Sequence, residues 1–256
     1  MLIDTHCHLD QLPDPAAALA EAALVGVSQV VALSESAVSM GAVLALSQAH
    51  PGAVVAGLGL HPAWISQQTP AAVEEGLLFL AQHLNQAQVL GEVGLDHKWA
   101  STPQQQAFQE EILDRQLALA AACAKPANLH SRRCPRQVME RAIRFCRQTG
   151  LGAQLHWFTH SRKLIHLCND AGIYVSVGPM VLEDSQTQEV ALAIADELLL
   201  LETDAPVPIG GHPNQPAQVR AVAEKLAALK NRSLEELAAL TSTNFVHYLG
   251  GGGKTT

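Results

Sequence analysis

The hydrophobic positions of the chain fall into short apolar runs that alternate with longer helical segments. The apolar runs predict eight strands, over residues 2–8, 28–33, 53–60, 89–95, 126–130, 153–157, 173–177 and 198–202. The segments between and after them predict helices over residues 16–24, 38–49, 70–85, 103–124, 135–149, 161–171, 189–196, 216–229 and 234–245. The chain therefore repeats a strand followed by a segment of helical length.

Strands that alternate with helices indicate βαβ units and a parallel sheet. Eight such units in 256 residues match the size of a (β/α)₈ barrel. A doubly wound open sheet is the competing fold, but no glycine-rich phosphate turn follows the first strand. We therefore predict an α/β protein with one (β/α)₈ TIM-barrel domain over residues 1–249, followed by a flexible Gly-rich tail at 250–256.

Composition and charge narrow the functional classes. Hydrophobic residues make up 48% of the chain and charged residues 16%, which favours a large core over disorder. The net charge of −8 gives no global basic footprint for coating nucleic acid. The five cysteines form no CxxC pair, which favours free thiols in a reducing compartment. No signal peptide or membrane span is visible, so we expect a cytoplasmic protein without membrane contact.

The first strand carries the first candidate metal ligands. Side chains two positions apart point to the same face of a strand, so His6 and His8 project together, with Asp4 below them. Two converging imidazoles suit a first-row metal ion. A lone His-x-His motif also occurs where both histidines are ordinary polar residues, so metal binding has to be judged from the rest of the chain.

Residues of the metal-ligand types recur where the other predicted strands end, which is where barrel enzymes build their sites. These residues are His6, His8, His61, Glu92, His130, His156 and Asp204. Glu92 and Asp204 interrupt or follow apolar runs, and a buried carboxylate is costly unless it is paired or coordinated. One such residue could form a structural ion pair, but so many at one end of a barrel indicate a metal site.

Six ligands are too many for one tetrahedral zinc ion and fit two divalent ions bridged by a carboxylate. The predicted assignment places His6, His8 and Asp204 on one ion and His130 and His156 on the other, with Glu92 between them. Water held there would be the nucleophile, so Glu92 and Asp204 are the predicted catalytic residues. Asp204 could also take the proton of that water.

Further residues are candidates for substrate binding. Arg132 follows a ligand-bearing strand and suits a phosphate or carboxylate, although it could form a salt bridge at the rim instead. His61 could donate a hydrogen bond to the substrate or fill space. Glu202 lies on the strand face of Asp204 and could contact the site or a neighbouring histidine. Trp157 could stack on a base or pack at the rim. Asp96 could orient a ligand histidine or cap the following loop.

The chain resembles the TatD family of metal-dependent hydrolases, including its YjjV-type branch. The matching segments are Asp4-Thr5-His6-Cys7-His8-Leu9-Asp10, Gly59-Leu60-His61-Pro62, Gly91-Glu92-Val93-Gly94-Leu95-Asp96, His130-Ser131-Arg132, His156-Trp157-Phe158 and Glu202-Thr203-Asp204-Ala205-Pro206. The resemblance implies a (β/α)₈ barrel of the metallo-dependent hydrolase type, divalent metals at the six ligand positions and hydrolysis of phosphodiesters, usually of DNA.

Two segments depart from the family pattern. Trp157-Phe158-Thr159-His160 stands where the family commonly has Cys-Phe-Ser-Gly, and His97-Lys98-Trp99 stands where an aromatic residue usually follows Asp96. Both lie on loops over the predicted site. They bear on the identity of the substrate more than on metal binding.

The function predicted from these observations is a divalent-metal-dependent phosphodiesterase or deoxyribonuclease. It would act on DNA ends or single strands through water activated by two ions (Zn, Mn or Mg), with the nucleic acid or phosphodiester in the barrel mouth. One alternative is a metal-dependent hydrolase of carboxyl esters or amides, including lactones and aminoacyl-tRNA links. Another is a barrel that binds metal without catalysis.

Overall fold

The computed structural model describes residues 1–158 and 162–250. Its strands are β1 (Leu2–Cys7), β2 (Val27–Leu33), β3 (Val54–Leu58), β4 (Val89–Asp96), β5 (Ala127–Arg132), β6 (Ala153–Leu155), β7 (Tyr174–Val177) and β8 (Leu199–Leu201). Its helices are α1 (Pro15–Leu24), α2 (Ala37–Ala49), α3 (Pro62–Ile65), α4 (Pro70–His83), α5 (Pro103–Ala122), α6 (Pro135–Thr149), α7 (Arg162–Ala171), α8 (Ser185–Ala193), α9 (Val219–Leu229) and α10 (Leu234–Leu249). Beyond Gly250, the predicted tail lies outside the described residues.

The eight strands form one parallel sheet in the order β1 to β8. The sheet curves until its first and last strands adjoin. There the Thr5 hydroxyl donates to the carbonyl of Leu201 at 2.9 Å, and the amide of Asp204 donates to the carbonyl of His6 at 2.9 Å. With helices between the strands, this is a nearly closed (β/α)₈ TIM barrel, and the predicted fold is confirmed.

Helix starts follow local sequence signals. Proline occupies the first turn of α1, α4, α5 and α6, where its missing N–H costs no hydrogen bond. Side chains of Asp14 and Thr69 cap α1 and α4, and Thr102 forms a capping box with Gln105 at the start of α5. None of the described helices combines the length and the apolarity needed to cross a bilayer.

The helix predicted over residues 189–196 was placed too late. The structure starts α8 at Ser185 because the Asp184 carboxylate accepts from the amide of Thr187 at 2.6 Å, which satisfies a free N–H of the first turn. Its last predicted residue, Asp196, opens a separate short helical turn. The helix predicted over 216–229 likewise begins as a tight turn, and α9 starts at Val219.

A layer of buried polar side chains fills the barrel beneath the carboxyl ends of the strands. The Gln154 amide donates to the Thr5 hydroxyl and to the Ser176 hydroxyl, both at 2.9 Å. The Asn128 amide donates to the carbonyl of Thr5 at 3.1 Å. Buried polar groups remain stable only when they are hydrogen-bonded, so this layer forms a defined floor for the residues above it.

Candidate metal centre

The predicted ligands of β1, β4 and the β8 end converge around one oxygen of Glu92. Glu92 Oε2 lies 3.4 Å from His6 Nε2 and 3.2 Å from His8 Nε2. Asp204 Oδ1 faces the same two nitrogens, at 3.3 Å from each. Two imidazole nitrogens and two carboxylate oxygens therefore surround one point at the carboxyl end of the barrel.

The other oxygen of Glu92 faces a second group of histidines. Glu92 Oε1 lies 2.9 Å from His130 Nδ1, 2.8 Å from His156 Nε2 and 3.4 Å from His61 Nε2. The rings of His156 and His6 stack with their centroids 3.8 Å apart, so the two groups touch. The Glu92 carboxylate thus lies between two sets of donors, one on each oxygen.

Hydrogen bonds behind His6 and His8 fix which nitrogen carries the proton when each imidazole is neutral. His8 Nδ1 lies 3.1 Å from the carbonyl oxygen of Leu33, which can only accept, so this nitrogen is the donor. His6 Nδ1 lies 2.9 Å from Asn128 Oδ1, whose amide group already donates to the carbonyl of Thr5. Both histidines therefore present Nε2 to the centre, with the orientation that metal-binding histidines require.

The same reasoning separates His130 from His61. His130 Nε2 lies 3.2 Å from Asp96 Oδ2, so it donates there and turns Nδ1 to the centre. His61 Nδ1 instead accepts a hydrogen bond of 3.1 Å from the amide of Ala63, and in a neutral imidazole this leaves the proton on Nε2. His130 is arranged as a ligand, whereas His61 presents an N–H donor.

The donor set fits divalent cations. His6 Nε2 is fully buried and has no hydrogen-bond partner within the described part of the chain, although two carboxylates lie near it. Two clusters with metal-ligand spacing share Glu92: one adds His6 and His8, the other His61 and His130. A third combines His6, His156 and Glu202. Mixed imidazole and carboxylate donors suit zinc and manganese better than magnesium.

The buried histidines and carboxylates of the centre shift one another's pKa values. Burial disfavours a charged His6, but the facing carboxylates of Glu92 and Asp204 outweigh it and raise the pKa of His6 to about 10. Burial likewise opposes protonation of His130, and Asp96 and Glu92 raise its pKa to about 9. Burial together with the charge of His6 lowers the pKa of His156 to about 4. Without bound cations, protons on His6 and His130 balance the carboxylates.

A cavity of about 500 Å³ opens above the centre. Among the predicted substrate-binding residues, Arg132, His61 and Trp157 line it. Glu202 does not: it is fully buried below the cavity, where its carboxylate accepts 2.6 Å hydrogen bonds from the amide of Trp157 and the hydroxyl of Ser176. Glu202 Oε2 also lies 3.9 Å from His156 Nδ1, which agrees with the predicted alternative of a neighbouring histidine, and a direct contact of Glu202 with substrate stays a prediction.

Two residues of the site have backbone conformations that are unusual for side chains with a Cβ. Trp157 has φ of 42° and Asp204 has φ of 56°. Such conformations cost free energy and persist where the surroundings hold them, often at functional sites. Here the carboxylate of Glu202 holds the amide of Trp157, and the carbonyl of His6 holds the amide of Asp204.

Sequence reasoning missed Asn128, which orients His6. Its signal was available: Asn128 is a polar residue in an apolar strand, two positions before His130 and therefore on the same face. Asp96 makes both of its predicted contacts, because Oδ2 faces His130, a candidate ligand, and Oδ1 accepts from the amide of Lys98 at 2.8 Å.

The barrel and the His/Glu/Asp clusters at its carboxyl end define the class of metal-dependent hydrolases. Residues 3–250 match the family profile described as "TatD related DNase", and the chain belongs to the TatD family. The chain is 33% identical over 256 residues to the uncharacterized metal-dependent hydrolase YcfH of Escherichia coli K12, covering 95% of this chain and 94% of YcfH.

Two further relatives show the same full-length similarity. The deoxyribonuclease TATDN3 of Homo sapiens is 28% identical over 257 residues, covering 95% of this chain and 92% of TATDN3. The crystal structure of YjjV, a TatD homologue from Escherichia coli K12, superposes with a TM-score of 0.84 at 30% identity and covers 97% of both chains. The predicted family is therefore confirmed.

Proposed function

We propose that this protein is a divalent-metal-dependent phosphodiesterase that cleaves nucleic acid, with DNA ends or single strands as its substrates. The observation that carries the proposal is the position of Glu92, whose two oxygens face two different sets of donors. A carboxylate in this position suits a bridge between two cations. His6, His8 and Asp204 would hold one cation, and His130 and His156 would hold the other.

Such cations, when bound, lower the pKa of water and neutralise the charge that develops on a phosphodiester during displacement. The side chains of the protein supply the remaining functions. Asp204 faces the cavity as a carboxylate and accepts the proton of the attacking water. His61, with its proton on Nε2, donates to a substrate oxygen. Arg132 pairs with a phosphate through its planar guanidinium group.

The wall of the cavity suits a nucleotide. Trp99 and Trp157 line the cavity, and the Trp99 side chain is exposed at its rim. Aromatic faces stack on bases with little sequence preference, as in proteins that bind single strands. The name of the human relative, deoxyribonuclease TATDN3, supports the same class of substrate.

A second candidate is a hydrolase of carboxyl esters or amides that uses the same centre. The charge of the cavity lining favours this candidate. Of the described residues that line the cavity, Arg132 is the one Lys or Arg, whereas Glu35 and Asp204 are acidic. An acidic lining suits a small neutral or cationic substrate better than a polyanion. The fold does not decide between the two reactions.

One assay separates these reactions. A 5′-labelled single-stranded oligonucleotide is incubated beside p-nitrophenyl phosphodiesters and carboxyl esters, with chelator, Mg²⁺, Mn²⁺ or Zn²⁺. Glu92→Ala is the test variant, and Glu189→Ala, which removes an exposed carboxylate of α8, is the matched control. We expect metal-dependent shortening of the oligonucleotide that Glu92→Ala loses and Glu189→Ala keeps.

Turnover of the esters with an intact oligonucleotide would transfer the assignment to the carboxyl hydrolases. Stoichiometric metal binding without turnover of any substrate would leave a non-catalytic metal-binding barrel. Equal activity in Glu92→Ala and the unaltered chain would show that the signal comes from a contaminant.

A further inference from the structure

Half of the basic residues of the chain lie in one segment, which begins at the cavity with Arg132. Of the chain's 16 Lys and Arg residues, 8 lie between residues 132 and 163, and this segment has one acidic residue, Glu140. The rest of the chain is strongly acidic, since the net charge of the whole is −8. An excess of positive charge therefore lies in this segment and is not apparent from the net charge of the whole chain.

The structure places much of this charge on one exposed face. Arg136, Glu140, Arg144 and Arg147 follow each other at spacings of three or four residues, so they share one side of α6. The opposite side of α6 carries the buried residues Val138, Met139, Ala142 and Phe145. Arg133, also exposed, precedes the helix. We call Arg133, Arg136, Arg144 and Arg147 the arginine track.

The arginine track begins at the cavity. Arg132 ends β5 and lines the cavity, and Arg133 follows it with φ of 64°, a left-handed turn that leads into α6. From there the 15 residues of α6 run along the outside of the barrel for roughly 22 Å. That length spans several phosphates of a nucleic-acid strand.

The charges of the track are available to a ligand. Arg141, which is also on α6, is mostly buried and pairs with Glu110 and Asp114. In contrast, no ion pair involving Arg133, Arg144 or Arg147 occurs among residues 1–158 and 162–250. Arg136 pairs with Glu140 at 2.9 Å, but its side chain is 79% exposed, and pairs of this kind contribute little to stability.

We infer that the arginine track binds the phosphate backbone of a nucleic-acid strand whose end lies in the cavity beside Arg132. This inference rests on the proposed function and extends it to a substrate longer than the cavity holds. The exposed residues flanking the track include Gln137 and Gln148, and glutamine is one of the residue types that contact phosphate and sugar oxygens in nucleic-acid complexes. A membrane surface is disfavoured, because the apolar face of α6 packs against the barrel.

The test measures binding by fluorescence anisotropy with phosphorothioate single strands of 4 and 20 nucleotides, using the full chain as purified. The test variant is Arg144→Gln/Arg147→Gln, and Arg144→Lys/Arg147→Lys keeps the charge. The matched control, Arg220→Gln/Lys225→Gln, removes the same charge from α9, which packs near β1 and β8 on the other side of the barrel.

We expect the 20-mer to bind the unaltered chain more tightly than the 4-mer, in a salt-dependent manner. Loss of two phosphate contacts should weaken binding of the 20-mer several-fold and reduce the slope of log K against log salt by about 1.4. The lysine variant and the α9 control should keep most of the affinity. Equal affinity for both lengths, or equal weakening in the α9 control, would overturn the inference.

This binding measurement and the cleavage assay described above together separate the inference from the proposed function. Binding of the 20-mer through the track, combined with no cleavage of ordinary oligonucleotides under any metal condition, would refute the nuclease and leave the track. Cleavage that does not depend on the arginine track would support the nuclease and refute the track. Binding of phosphatidylglycerol vesicles in place of the 20-mer would identify a membrane surface and refute the track.

Discussion

The buried carboxylate of Glu202 fixes the backbone of Trp157: its Oε1 accepts a 2.6 Å hydrogen bond from the Trp157 amide. Its other oxygen accepts from the Ser176 hydroxyl at 2.6 Å. Because Trp157 directly follows His156, one side chain supports both a wall of the cavity and the segment that carries a candidate ligand. Glu202 is thus a positioning residue.

Replacing Glu202 should disturb the cavity wall more than the barrel. In Glu202→Ala, the Trp157 amide loses its acceptor, and an unsatisfied buried N–H costs about 1–3 kcal/mol. Glu202→Gln keeps a carbonyl acceptor at the same place. We expect the alanine variant to raise KM for oligonucleotides and to shift tryptophan fluorescence, with the glutamine variant close to the unaltered chain. Identical kinetics in all three proteins would contradict this role.

Asn128 should control metal affinity without touching the metal. Its side chain orients His6, and removal of such a supporting residue typically weakens metal binding by about 10–100-fold. The matched control is Asn244→Ala, which deletes another buried asparagine that bonds the carbonyls of Asp196 and Leu199. Zinc titration with a competing chelator measures the effect. We expect Asn128→Ala, and not Asn244→Ala, to lose affinity.

Metal binding should release protons and strengthen as the pH rises. His6 and His130, with pKa values raised to about 10 and about 9, hold protons at neutral pH in the metal-free protein. A cation must displace them, so its apparent affinity falls as the pH decreases below these values. Calorimetry in buffers of different ionisation enthalpy counts the released protons. A pH-independent affinity between pH 6 and 9 would exclude this linkage.

Gly94 should be essential for packing β4 against β5 beneath the site. It has φ of +155°, and a Cβ added there would lie 2.1 Å from the carbonyl oxygen of His130. We expect Gly94→Ala to lower the free energy of unfolding by about 3 kcal/mol or more. The control is Gly41→Ala in α2, where a Cβ meets nothing within 4 Å and stability should rise by about 0.5–1 kcal/mol. Urea denaturation measures the free energy of unfolding of both variants, which should change in opposite directions.

The fold was predictable because the strands are mainly apolar runs and several helices begin at a proline or a side-chain cap. The prediction for α6, residues 135–149, agrees with the structure at both ends, where Pro135 and Gly150 mark the boundaries. The predicted start of α8 was wrong because the prediction followed a weak apolar pattern, whereas the helix begins directly after its cap, Asp184. The short α3 was missed because its four residues are too few for a periodic signal.

The candidate ligands were predictable because they are polar residues that interrupt an apolar strand, as Glu92 does, or lie near its carboxyl end. Their supporting contacts were not, since these depend on side chains that the closed barrel brings together. Glu202 illustrates the difference: alternation placed it on the strand face of Asp204, but its depth below Trp157 follows from three-dimensional packing. The hydrogen bond that sets the tautomer of His61 also has no counterpart in sequence spacing.

The contact between the two ends of the barrel has a consequence for how the protein is made. Asp4 accepts hydrogen bonds from the amide and hydroxyl of Thr203, 199 positions along the chain. At about 5–20 residues per second, a ribosome takes roughly 10–40 s to synthesise that distance. During this time Asp4, His6 and His8 have no partner strand on one side. The candidate site is therefore among the last parts of the nascent chain to form.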